Sequence, residues 1–157
     1  MSPPTVRPSH PADAEAIAAV INAAFEVERF FVDGDRTSPE EVRRMLDRGT
    51  FLLAERDGAL AACVYVEIRG EHGYFGMLSV DPARQGEGFG RLLVEAAEEH
   101  ARQAGCIAMD IQVVDLRTEL PPFYHRLGYV EIGMRPVTPD PQLKQPCNFI
   151  LMRKALR

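Results

Sequence analysis

The sequence predicts an α/β domain: one mixed, mostly antiparallel sheet with helices on both faces. Three observations carry this expectation. Helical and strand-like periods follow one another as strand, helix, helix, three strands, helix, strand, short helix, two strands. The three central strands are joined by short turn signals, so they form an antiparallel meander. Residues 74–113 alone carry the strand, long helix, strand order of a parallel crossover.

Each element has its own signal. Residues 5–7 open a short strand. Pro11 suits a first helical turn, and Asp13 and Glu15 suit the positive end of a helix dipole. Ile17, Val20, Ile21, Ala24 and Phe25 then recur at helical spacing. After the connection "EVERFFVDGDRT", Ser38 and Glu41 form a capping-box pattern around Pro39. Val42, Met45 and Leu46 give the second helix its inner face, and Gly49 ends it. "TFLLAERDGALAACVYVEI" is two strands joined at Asp57-Gly58, and "RGEHG" turns the chain into "YFGMLSV". A long helix runs to about Gly105, with Leu92, Leu93, Ala96, Ala97 and Ala101 apolar. "CIAMDIQVV" is a strand, and "LPPFYHRLG" is a short helix from its prolines to Gly128. "YVEIGM" and "NFILM" are two last strands, joined by "RPVTPDPQLKQP".

Composition bounds the function. The 157 residues are the size of one domain, so a single domain over 1–157 is expected. A net charge of -5 argues against general nucleic-acid binding, which calls for a basic surface. No apolar run approaches the roughly 20 residues that span a membrane, and the first residues carry no signal-peptide pattern. A cytoplasmic protein with neither nucleic-acid nor membrane partners is expected. Cys63, Cys106 and Cys147 lie far apart in apolar runs and read as small core residues. The four histidines show no ligand spacing, so no metal is expected.

The stretch "DPARQGEGFGRLL" sets Gly86, Gly88 and Gly90 in front of a helix. Glycine there costs about 1 kcal/mol relative to alanine, so something must offset three of them. Helix N-termini expose unpaired N–H groups and favour phosphate. With Arg84 and Arg91 alongside, the glycines suggest a pyrophosphate cradle, and a turn that tightens strand–helix packing stays open beside it. No Walker loop occurs. The dinucleotide fingerprint fails where Arg91 replaces its third glycine, although Asp110 falls near the distance of a ribose-binding acid. A nucleotide-binding α/β domain is kept as an alternative.

Gln85-Gly86-Glu87-Gly88-Phe89-Gly90 resembles the Q/R-x-x-G-x-G/A signature of the GNAT superfamily of N-acetyltransferases. "FYHRLGY" is similar to that family's later Y-x-x-x-G-[FY] segment, and "CNFILMRKAL" to its closing strand. The resemblance implies a sheet splayed between the strands that hold Tyr74 and Ile107, with acetyl-CoA as cosubstrate. It puts the pyrophosphate on the main-chain amides of Gln85, Gly86, Glu87, Gly88, Phe89, Gly90 and Arg91. It puts the pantetheine arm along Met77, Leu78, Ser79 and Val80.

The implied chemistry is direct attack of a primary amine on the thioester, in a ternary complex. An alkylamine with a pKa of roughly 10.4 is mostly protonated at neutral pH, so the site must take a proton, stabilise an oxyanion and protonate the leaving thiolate. Tyr124 matches the family's thiolate-protonating tyrosine. The family's usual Asn and Ala before it are Arg117 and Leu120 here, and its usual Glu near the start of the fourth strand is replaced by His72 and Tyr74. His72 and, through water, Glu67 are the candidate bases. Glu26, Glu28, Asp33 and Asp35 are charges that attract a cationic amine or merely solvate the surface. The acceptor is a small-molecule or peptide amine, and a homodimer is left open. A catalytically silent acyl-CoA-binding sensor is the competing class.

Overall fold

Seven strands form one sheet in the order β1-β2-β3-β4-β5-β7-β6 in the computed structural model, which describes residues 2–157. β1 (Thr5–Pro8), β2 (Thr50–Arg56), β3 (Ala59–Arg69) and β4 (His72–Val80) pair antiparallel in sequence. β5 (Ala108–Val114) joins β4 in parallel, and β7 (Asn148–Ala155) and β6 (Val130–Pro136) complete the sheet antiparallel. The helices are α1 (Ala14–Ala24), α2 (Pro39–Met45), α3 (Phe89–Gln103) and α4 (Leu120–Arg126). This is the element order expected from the periodicities. No described helix is long and apolar enough to cross a membrane.

Local chemistry sets the boundaries. Asp57 and Gly58 both take positive φ, 55° and 78°, which fits a two-residue hairpin to the twist of β2 and β3. The Ser38 hydroxyl accepts the Glu41 N–H at 3.2 Å and caps α2. The Asp13 carboxylate accepts the His10 N–H at 2.8 Å, where a 3-10 turn leads into α1, and also takes both ends of the Arg7 guanidinium fork.

The sheet is covered on both faces, which explains the unbroken apolar runs of β2 and β3. Phe51, Leu53, Cys63 and Tyr65 meet Ile17, Ile21 and Val42 on the α1–α2 face. Leu52, Ala54, Val64 and Val66 belong to the cluster under α3 and α4, with Phe75, Leu93, Ala97, Met109 and Met152. One polar group lies deep in that layer. The Glu98 carboxylate, 4% exposed, accepts from Tyr129 Oη at 2.7 Å and from Lys154 Nζ at 3.0 Å, tying α3 to β7.

Two irregularities open the sheet. β4 pairs with β5 at His72↔Ala108, Gly73↔Met109 and Tyr74↔Asp110, and the strands then diverge. Along the β3 side of β4, the register shifts between Tyr65↔Gly76 and Cys63↔Ser79, so Met77 and Leu78 stand opposite Val64 alone. Met77 takes φ +56° at this bulge, a left-handed conformation that few side chains adopt.

Candidate active site

The gap between β4 and β5 is a cavity of about 360 Å³. Residues 74–78 and 111–114 form its sides, and Leu120, Phe123 and Tyr124 of α4 close one end. The α1–α2 connection and the β6–β7 connection close the other. The Arg117 guanidinium donates to the Glu28 carboxylate at 2.8 Å across 89 positions of sequence, joining the β5–α4 loop to the α1–α2 connection. Burial raises the Glu28 carboxyl above its usual range despite that partner.

Tyr124 is held by rings. Phe123, Phe75 and Tyr129 lie 5.0, 6.0 and 5.9 Å from its ring centroid. It lines the cavity, yet its hydroxyl makes no hydrogen bond to any described residue. Burial pushes its phenol well above the ordinary value, so it stays protonated at neutral pH. A protonated, unpartnered O–H at the wall of a cavity can donate to a group that develops negative charge beside it.

The glycine loop follows β4. Asp81 accepts the Ala83 N–H at 2.9 Å and shapes the turn, and the Gln85 amide donates to the Val80 carbonyl at 3.3 Å. Gly86 and Gly88 have φ of +83° and +86°, and a Cβ on either would meet no atom within 4 Å. Backbone conformation, not crowding by protein, therefore demands glycine at both. Gly90 is ordinary helix, with a Cβ position 3.5 Å from Phe123 Cζ. α3 has no side-chain cap at Gly88, and the main-chain N–H groups of residues 85–91 donate to no described residue. These orphan donors suit an anion. Phe89 is buried beneath the Arg56 guanidinium, which also holds the Glu87 carboxylate at 2.5 Å, while Arg91 pairs with Glu95 at 3.0 Å.

Met77 and Leu78 line the cavity; Ser79 does not, being buried with its hydroxyl donating to the Met77 carbonyl at 2.9 Å, and nor does Val80. Glu67 lines a second, polar cavity of about 240 Å³, which shares Arg36, Tyr74, Gly76 and Met77 with the first. Its carboxylate accepts from Tyr65 Oη at 2.7 Å and Arg69 Nε at 2.8 Å. Burial raises its pKa, but these two donors outweigh burial and hold it below the usual carboxylate range. His72 lines neither cavity. Its Nδ1 lies 2.9 Å from Asp110 Oδ2, in a chain that continues to Arg153 Nε at 2.6 Å from Asp110 Oδ1. The site thus brings Tyr124 together with Met77 and Leu78, places Glu67 one cavity away, and leaves His72 at the closed end of the seam.

Sequence reasoning gave no role to Tyr74, Arg36 or Arg48. Tyr74 lines both cavities under the Arg69 guanidinium, which stands 4.1 Å over its ring. The one signal in the sequence is Tyr74's position at the strand start, where the resemblance leads one to expect a carboxylate. The acidic connection is neutralised. Glu26 and Asp35 pair with Arg29 at 3.0 and 3.5 Å, Glu28 with Arg117, and Asp33 with Lys144 at 3.1 Å.

Comparison with known proteins agrees with this geometry. The family model of the acetyltransferase (GNAT) family matches residues 17–129. The chain is 29% identical over 133 residues to an IAA acetyltransferase from Azospirillum brasilense, covering 78% of this chain and 85% of that protein. It is 32% identical over 109 residues to a mycothiol acetyltransferase from Sanguibacter keddieii, covering 65% of this chain but 33% of that longer protein. Among solved structures, yncA from Salmonella typhimurium, determined with its cofactor acetyl-CoA, superposes with a TM-score of 0.75 at 21% identity, covering 98% of this chain and 94% of that one. In sequence over most of its length, and in fold, the chain belongs to the GNAT acetyltransferase family.

Proposed function

We propose that this chain transfers the acetyl group of acetyl-CoA to a primary amine by direct attack in a ternary complex. The observation that carries the proposal is the hydroxyl of Tyr124, a side chain buried at the cavity wall, which is bonded to no described residue. Family membership and the acetyl-CoA held by the yncA neighbour support the choice of cosubstrate. The orphan N–H groups of residues 85–91 hold its pyrophosphate. Its pantetheine arm lies along Met77, Leu78, Ser79 and Val80, where β4 has parted from β5.

In this mechanism the amine nitrogen attacks the thioester carbon, and Met77 and Leu78, outside the ladder pairing, supply main-chain donors to the oxyanion. The C–S bond then breaks, and the thiolate takes the Tyr124 proton. The proton lost by the amine passes through water to Glu67 in the adjoining cavity. His72 takes no part in transfer; it braces Asp110 and Arg153 at the closed end of the seam. Thiol release measured over a panel of amines, with calorimetric titration of acetyl-CoA alongside, tests the proposal. Binding of acetyl-CoA with turnover on at least one amine is expected. Binding without turnover on any amine would replace the enzyme with a silent acyl-CoA sensor, and absence of binding would remove both.

A further inference from the structure

The charge that faces the second cavity is arginine. Arg36, Arg48 and Arg69 line it, against Glu41 and Glu67. Glu67 accepts from Arg69 and Tyr65, and Arg48 stands near enough to Tyr65 and Glu67 to favour their charged forms without forming an ion pair. Arg36 and Arg48 make no ion pair with any described carboxylate. The acidic residues of the neighbouring connection, by contrast, each hold a cation already.

Arg36 is also placed with care. The next residue, Thr37, is buried, and its main chain is clamped at both ends of one side-chain amide. Its N–H donates to Asn22 Oδ1 at 3.0 Å, and its carbonyl accepts from Asn22 Nδ2 at 3.0 Å. The clamp fixes the backbone of Arg36 to α1, at the wall common to the two cavities. A preset backbone lowers the ordering cost of a guanidinium that must meet a ligand. In the β6–β7 connection, which bridges to the α1–α2 connection at Val32↔Leu143, Asp140 spends its carboxylate on the N–H groups of Gln142 and Leu143 at 2.7 and 3.2 Å.

Resting on the acetyl-transfer reading, we infer that the acceptor amine carries an anionic group, a carboxylate or a phosphate, which Arg36 and Arg48 hold in the second cavity while the amine reaches the thioester past Tyr74 and Met77. A guanidinium matches either anion through paired N–H donors.

The test is a ladder of ω-amino acids from glycine to 6-aminohexanoate, each against its own carboxamide, with O-phosphoethanolamine against ethanolamine. Each is titrated by calorimetry into the protein saturated with CoA, and each is assayed for thiol release from acetyl-CoA. At some rung the anion binds roughly tenfold or more tightly than its neutral match, the scale of a charge-assisted hydrogen bond. The carboxylate and phosphate arms tell which anion fits. In Arg36→Gln and Arg48→Gln that ratio falls to near one while CoA affinity stays as it was. Both arginines are exposed and outside any ion pair, so neither change threatens folding. Neutral members that bind equally well at every rung, or ratios untouched in both variants, overturn the inference. Amides acetylated as fast as acids refute it while acetyl transfer stands. Anions held through the arginines yet never acetylated uphold this site and refute acetyl transfer to them.

Discussion

Two tyrosines whose rings lie 5.9 Å apart should respond in opposite ways to the same change. Tyr129→Phe removes the hydroxyl that donates at 2.7 Å to Glu98, a carboxylate only 4% exposed. Lys154 keeps its contacts to both oxygens at 3.0 and 3.2 Å, so the charge stays paired and one hydrogen bond to it is lost. Such a bond is worth about 1.5–3 kcal/mol. At about 2–4 °C per kcal/mol for a chain of this size, Tm falls by roughly 3–12 °C. Tyr124→Phe removes a hydroxyl that bonds to no described residue and keeps the ring among Phe75, Phe123 and Tyr129. Its stability should stay within about 0.5 kcal/mol of the parent. Its kcat should fall on the order of 10²-fold or more, the usual worth of a positioned acid, with acetyl-CoA affinity nearly unchanged. The loss should shrink with acyl donors whose thiol leaves as a weaker base. Thermal unfolding and single-turnover thiol release, run on both variants, read the two axes separately. Equal destabilisation of the two variants would refute the claim that the Tyr124 hydroxyl has no structural partner. An unaltered single-turnover rate in Tyr124→Phe would reduce that residue to packing.

The glycine loop gives a second contrast. Gly88→Val forces a β-branched residue to φ +86°, at a cost of roughly 1–2 kcal/mol or more, and puts a side chain where the loop is open, so calorimetry should show acetyl-CoA binding abolished. Gly90→Ala places its methyl 3.5 Å from Phe123 Cζ at a helical φ and should keep binding, with stability raised by up to about 1 kcal/mol. A pH effect comes from Asp13. Its hydrogen bond to Arg7 outweighs burial and lowers its pKa to about 2, below an unfolded value near 4. That depressed value contributes stability above pH 4, lost as pH falls towards 2; with Arg7 side chain 35% exposed, about 1 kcal/mol is the reasonable size. Urea unfolding of the parent and Asp13→Asn should show stabilities that converge between pH 4 and 2.

The elements were legible because each carries a local signal. The pair Asp57-Gly58, the cap at Ser38 and the glycines before α3 act through neighbouring backbone, and sequence displays neighbours. The site was legible as far as its motif reached, at Tyr124 and the loop of residues 85–91. What escaped depends on register and on distant partners. His72 reads as a free base at a strand start, but the parallel register His72↔Ala108 brings it against Asp110, two residues further along β5. Glu28 reads as a charge that attracts an amine or solvates the surface, and its partner Arg117 lies in another loop. Arg36 and Arg48 look like ordinary surface cations until folding spends every carboxylate of the acidic connection elsewhere. The divergence of β4 from β5 after Tyr74 is expected from the family resemblance and not from a local marker, whereas Met77 is not a residue that announces a left-handed φ.

A sheet ordinarily has two free edges, and proteins blunt them because bare N–H and C=O groups invite foreign strands. This sheet has a second pair of edges inside it, where β4 and β5 part company beyond Tyr74 and Asp110. They are screened by α4 on one side and by the two long connections on the other, with the Glu28–Arg117 bond across the opening. A sheet from another molecule has no approach to edges so enclosed. A slender, unbranched molecule that carries amides along a flexible chain does. The protein thus keeps strand-pairing capacity in reserve without the aggregation hazard that an exposed edge brings. Deepening the seam by breaking the His72, Gly73 and Tyr74 pairs would turn a ligand slot into a sticky border.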